Sequence, residues 1–194
     1  FVVKRDLWPL FWGLYVLSAF FAKYYTAAPV KLSYRGWGEI SVWFAFGPMA
    51  ILVAAVSQNV AWNPFVLAAL PTTGLSTASI LLMGEMIDRE ADRESGKMGV
   101  AARFGNRVAR FFYIGIQLLL VANIAVLATF IPRGWFIGLA LLPYSLVFPK
   151  LVSMLKDNYN DVTVLKQAAG MNVQIHLLFS LLFSVGLLIT LFLN

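Results

Sequence analysis

The polar and apolar positions of this chain are segregated into long blocks instead of alternating over short stretches. Six apolar blocks run over 7–25, 40–57, 64–83, 109–131, 135–155 and 171–193. Each is close to the roughly 20 residues that a helix needs to cross a hydrocarbon core. The pattern predicts an all-α membrane protein with six transmembrane helices, forming a single transmembrane domain over residues 1–194. Pro71 falls inside the third block, and Pro143 and Pro149 inside the fifth, so breaks or kinks are expected there. The run 72–77, built of small and hydroxyl residues, favours close helix packing.

Composition agrees with the blocks. Of the 194 residues, 60% are hydrophobic and 12% charged, against roughly 25% charged in a typical soluble domain. The chain has no cysteine, which removes disulfides and thiolate metal sites. Its net charge of +6 sits in the connections between blocks, where anionic lipid and membrane topology account for it and nucleic acid does not. If the helices alternate, 12 of the 15 Lys and Arg residues fall on one side, which the positive-inside rule assigns to the cytoplasm. No small-residue cleavage site follows the first apolar block, so no signal peptide is expected, and a start at Phe1 suggests an N-terminal part beyond this sequence. The two halves show no inverted repeat of the transporter kind.

Three connections share the basic side, over 26–39, 84–108 and 156–170. The middle one carries the chemistry. Asp88 and Asp92 stand at i and i+4 and Glu85 at i−3, which on a helix places all three carboxylates on one face. Clustered carboxylates repel unless a cation or proton lies between them. Mg²⁺ suits such a site, because it takes one or two carboxylates plus substrate phosphates. Arg89, Arg93, Lys97 and Arg103 supply cations for a diphosphate, and Gly96 is placed to end the helix. A solvated, salt-bridged helix would show the same spacing, so both readings stand on the residues alone. In the first connection, Tyr24 and Trp37 read as interfacial aromatics, whereas Arg35 and Glu39 abut a span and ask for another reason. His176, Gln117 and Asn123 lie within spans and read as interhelical hydrogen-bonding groups. The third connection, with Asp157 and Asp161, reads as a polar turn.

The stretch from Asp88 through Asp92, Gly96 and Lys97 to Arg103-Phe104-Gly105 resembles the second aspartate-rich motif of the UbiA superfamily of intramembrane prenyltransferases. The turn from Tyr25 to Pro29, the run from Tyr34 to Glu39 and Phe46-Gly47-Pro48 are similar to the preceding loop in the 1,4-dihydroxy-2-naphthoate polyprenyltransferase branch, and the tail over 165–188 is similar to the end of that branch. The resemblance implies a helical bundle around a cavity open to lipid, with two aspartate motifs holding Mg²⁺ and, through it, a prenyl diphosphate. Ionisation of that donor would leave an allylic cation to alkylate an aromatic acceptor, such as a quinone or menaquinone precursor. It implies Asp88 and Asp92 as Mg²⁺ ligands, with Glu85 beside them. It also implies Lys97, Arg35, Arg93, Arg103 and Tyr25 as substrate contacts.

Departures accompany the match. The family's first motif and three N-terminal helices have no counterpart here. Its usual Asn is replaced near Gly84 and Glu85, its Arg is Ile87, and its Thr falls near Gly99. A catalytically silent lipid- or pigment-binding subunit of a larger membrane complex is therefore the alternative to an enzyme.

Overall fold

A computed structural model describes residues 3–193. The chain is all-α and membrane-spanning in character: among the described residues, five helices are long and apolar enough to cross a bilayer. After the first helix α1 (Trp8–Tyr24) come α2 (Gly38–Ser57) and α3 (Pro64–Ile87). The short α4 (Arg89–Glu94) and α5 (Val100–Phe104) follow, and then α6 (Asn106–Leu127), α7 (Gly134–Asp157) and α8 (Val162–Leu193). Helix α1, expected as a sixth span, is not among the five. Its 17 residues rise about 26 Å at 1.5 Å per residue, against a hydrocarbon core of about 30 Å.

The prolines set the internal breaks. Asn63 caps α3 by accepting the Phe65 N–H at 2.9 Å, with Pro64 in the first helical position where its missing N–H costs nothing. Pro71 then interrupts α3 between Ala69 and Thr72. Pro143 and Pro149 divide α7 into a 3₁₀ stretch (Gly134–Leu141) and two α segments (Leu142–Leu146 and Phe148–Asp157). Pro48 gives α2 a π-helical turn over Ala45–Met49 that the periodicity did not announce.

Helix α3 is central and packs on α2, α6 and α8. Gly47 of α2 meets Gly74 of α3 so closely that a Cβ on Gly74 would collide with the Trp43 carbonyl, so the small-residue run does serve close packing. The main core joins Leu82, Tyr113, Leu120, Ile137, Leu151 and Phe179, and a smaller one joins α1 to the second half of α2 through Leu14, Met49 and Val56. Large apolar side chains such as Leu146 and Phe111 remain on the outside, as a lipid-facing surface requires.

The intramembrane polar residues bond across helices as expected. Ser76 Oγ and His176 Nδ1 are hydrogen-bonded at 2.7 Å. Gln117 Nε2 donates across to Asn172 Oδ1 at 2.9 Å and, within α6, to the Tyr113 hydroxyl at 3.0 Å. Thr72 Oγ1 donates to Asn123 Oδ1 at 2.6 Å.

One boundary moves substantially. The sixth span, expected from residue 171, starts at Val162, so the third connection shrinks to the residues between Asp157 and Val162. Asp161 causes this: its carboxylate accepts the Thr163 and Val164 N–H groups at 2.8 and 3.2 Å and nucleates the helix early.

Candidate functional site

All three expected connections meet at one end of the bundle. Val100 N–H donates to Glu39 at 2.5 Å, and Arg103 Nη2 donates to the Arg35 carbonyl at 2.6 Å, which joins the first connection to the second. Arg110, just beyond the second, donates to the carbonyls of Leu155 and Lys156 at the third. Asn106 Nδ2 donates to Met86 O at 3.0 Å and ties the start of α6 to the end of α3.

The aspartate segment is not one continuous helix. Asp88, at φ −92° and ψ 10°, is the junction between α3 and α4. The Asp92 N–H still reaches the Asp88 carbonyl at 2.8 Å, so the two residues remain one turn apart across the break. Gly96 ends α4 as expected, with φ +79°. The Lys97 N–H bonds Asp92 O at 2.9 Å and the Gly96 N–H bonds Arg93 O at 3.2 Å, the paired bonds of a Schellman ending. That turn carries Lys97 back over the helix, with Nζ 3.1 Å from an Asp92 oxygen. The hydrogen bond to Asp92 raises the Lys97 pKa above its ordinary value, against a smaller opposing effect of burial.

Glu85 faces elsewhere. A Cβ on Gly99 would lie 2.5 Å from its Cδ, so the carboxyl is seated against that glycine. There it lies beside the Glu39 carboxyl, and its buried Oε2 has no hydrogen-bond partner. Tyr25 is the third member of this group. Burial first, and then the charges of Glu85, Glu39 and Asp92, push its phenol above the usual value. The sequence singled out Tyr25, Glu85, Asp92 and Lys97, and the fold brings them together. It did not foresee that Glu39, 46 positions before Glu85, completes the set, although the placement of Glu39 against a span was the signal for it.

The remaining candidates are distributed around this group. Asp88 and Arg93 are exposed. Arg35 turns back to the Pro29 carbonyl at 3.0 Å. The Arg103 guanidinium lies flat against Gly36, where any Cβ would collide with it. Among the described residues, no three Asp, Glu, His or Cys side chains are gathered as one metal-holding group.

Beside Glu39 opens a cleft of about 620 Å³. It runs from Gly36, Glu39 and Val100 past Trp43, Leu75 and Ile116 to Pro71 and Asn123. Its walls are apolar, and the buried Trp43 Nε1 has no hydrogen-bond partner. The site is thus a charged rim beside an apolar cleft, an arrangement that can hold an amphiphile with an anionic head.

Comparisons with known proteins agree with that shape. The model of the UbiA prenyltransferase family matches residues 7–173. The chain is 27% identical over 172 residues to a 2-carboxy-1,4-naphthoquinone phytyltransferase of Synechocystis, covering 88% of this chain and 55% of that protein. It is 30% identical over 123 residues to a 1,4-dihydroxy-2-naphthoate octaprenyltransferase of Mycobacterium tuberculosis, covering 63% of this chain and 41% of that protein. A UbiA prenyltransferase domain-containing protein 1 of Dictyostelium discoideum is 26% identical over 136 residues, covering 70% of this chain and 40% of that protein. The chain therefore spans about half the length, or less, of these relatives, and no solved structure gives a significant match. With a family match over most of its length, the chain belongs to the UbiA prenyltransferase family.

Proposed function

We propose that this chain takes part in transfer of a polyprenyl group from its diphosphate to a naphthoate-type aromatic acceptor, with the 84–105 segment at the cytoplasmic face. The observation that carries the reading is the meeting of Glu39, which lines the apolar cleft, with Tyr25, Glu85 and the Asp92–Lys97 pair. In the transfer, the bond between the donor's C1 and the diphosphate oxygen breaks, and its electron pair leaves with the diphosphate. A ring carbon of the acceptor bonds to C1 and gives up a proton.

The donor set suits Mg²⁺ in part. Asp88 and Asp92 supply two carboxylates one turn apart, and a hard cation takes one or two carboxylates plus substrate phosphate oxygens. Asp88 and Asp92 are accordingly the ligands proposed. Glu85, seated on Gly99 beside Glu39, stands next to them. When bound, the ion neutralises charge on the leaving diphosphate. Lys97 and Arg93 lie along the same short helix and its ending, placed to contact phosphate oxygens, while Arg35 and Arg103 hold the two connections together. The apolar cleft excludes water from the reacting carbon.

The test is prenyl transfer to 1,4-dihydroxy-2-naphthoate by the purified protein, with and without Mg²⁺. Asp88→Ala and Asp92→Ala should each abolish transfer. Undiminished activity in both variants would overturn the reading. An absence of turnover in the unaltered protein, with any prenyl diphosphate and 1,4-dihydroxy-2-naphthoate, would favour the silent membrane subunit.

A further inference from the structure

A second groove, of about 470 Å³, lies between α6 and α7 at the same end of the bundle but away from the cleft. Phe111, Ile114, Pro149, Val152 and Leu155 form its walls, and Arg110 and Lys156 stand at its rim. The walls belong to membrane-crossing segments, whereas both cations sit where those segments meet the connections. Neither cation forms an ion pair among the described residues.

Arg110 is held in place but incompletely satisfied. Its Nη1 donates to the carbonyls of Leu155 and Lys156, and its guanidinium lies 4.4 Å from the Tyr159 ring centroid and 4.8 Å from that of Phe111. These contacts fix its orientation, yet its Nε is buried with no partner. Lys156 is exposed beside it.

We propose that this groove is a binding site for one anionic phospholipid, with an acyl chain along the apolar walls and the phosphate at Arg110 and Lys156. Charge complementarity singles out this occupant. Two unpaired cations at the end of an apolar trough match a phosphate joined to a hydrocarbon chain, and basic pockets between helices at the membrane surface take such headgroups. A zwitterionic lipid would bring its own cation to a rim that already carries two. A water-soluble anion would leave the trough unused.

The experiment is thermal unfolding of the protein in detergent micelles, with phosphatidylglycerol, phosphatidylcholine or inorganic phosphate added. Phosphatidylglycerol should raise Tm more than the same mole fraction of phosphatidylcholine does. Lys156→Gln should lose that difference, and so should Val152→Trp, which fills the trough without removing charge. Both should keep the Tm of the unaltered protein when no lipid is added. Lys166→Gln, which removes an exposed cation outside the groove, should keep the full response. Equal shifts from the two lipids would overturn the proposal, as would an unchanged response in Lys156→Gln or a loss as large in Lys166→Gln. A shift reproduced by phosphate alone would mean a free-anion site and would equally overturn it.

Discussion

The Val100 N–H points at a Glu39 carboxylate oxygen 2.5 Å away, so a residue from the start of α2 accepts from the first turn of α5. The bond secures the aspartate segment to the first connection. Glu39→Ala would leave a half-buried backbone donor with nothing to meet, a loss of about 1–3 kcal/mol. Glu39→Gln keeps an acceptor oxygen and should lose much less. Thermal unfolding in detergent should therefore rank wild type, then Gln, then Ala. Indistinguishable midpoints for the two variants would show that the bond adds nothing to stability.

Lys97 and Tyr25 make a prediction for alkaline pH. Both hold their protons more tightly in the folded state, Lys97 through its bond to Asp92 and Tyr25 chiefly through burial. A pKa raised by folding favours the fold below the unfolded value and loses that advantage as pH climbs through the folded value. Both unfolded values lie at about 10, so stability should fall from there upward. Lys97 is 42% exposed, so its share is small, under about 1 kcal/mol. A Lys97→Gln, Tyr25→Phe double variant should show a flatter decline in stability between neutral and alkaline buffer. An identical slope would place the alkaline sensitivity elsewhere.

These contacts also show what can be read from a linear chain. Apolar blocks report burial or lipid directly, and Pro71, Pro143 and Pro149 report missing donors, so five spans and their breaks were legible. Gly96 was legible for a similar reason, since a helix end with positive φ favours glycine. His176, Gln117 and Asn123 were legible because a polar group among lipid-facing residues must find a partner. The helix break at Asp88 was not, because DxxxD spacing is the same in a continuous helix and in two abutting ones. Nor was the meeting of Glu39 with Glu85, which depends on how α2 crosses α3 at Gly47 and Gly74. The early start of α8 was hidden because Asp161 serves equally well as a turn residue and as a cap.

Asn172 should be the most sensitive of the intramembrane polar residues. Its Oδ1 accepts from Tyr113 and Gln117 at 2.9 Å each, and its Nδ2 reaches Ser79 at 3.3 Å. Asn172→Leu removes the shared acceptor and leaves the buried Tyr113 hydroxyl on α6 without its acceptor, at about 1–3 kcal/mol. His176→Leu breaks a single interhelical bond and should cost about 0.6 kcal/mol, a typical value inside membranes. Equilibrium unfolding in mixed micelles should therefore separate the two variants clearly. Similar midpoints would mean that the Asn172 network relaxes around the loss.

Glu85 and Gly99 form a matched pair. The family pattern places Asn near the first position and Thr near the second, whereas this chain carries a longer side chain at one and none at the other. In the structure the Glu85 carboxyl fills the space that a side chain at 99 would take, since a Cβ there would lie 2.5 Å from its Cδ. Gly99→Thr alone should therefore displace Glu85 from Glu39 and disturb the Val100 N–H bond beside it, destabilising the segment. Glu85→Asn should vacate that space, so the double variant should recover stability that Gly99→Thr loses. Residues in contact show coupling of about 0.5–3 kcal/mol, and a double-mutant cycle of unfolding free energies measures it. Additive effects would mean that the two positions changed independently. Recovery would show that the aspartate segment is repacked here as a unit. Prenyl transfer by the double variant would then report whether the Glu39–Glu85 contact is required for the chemistry or only for the fold.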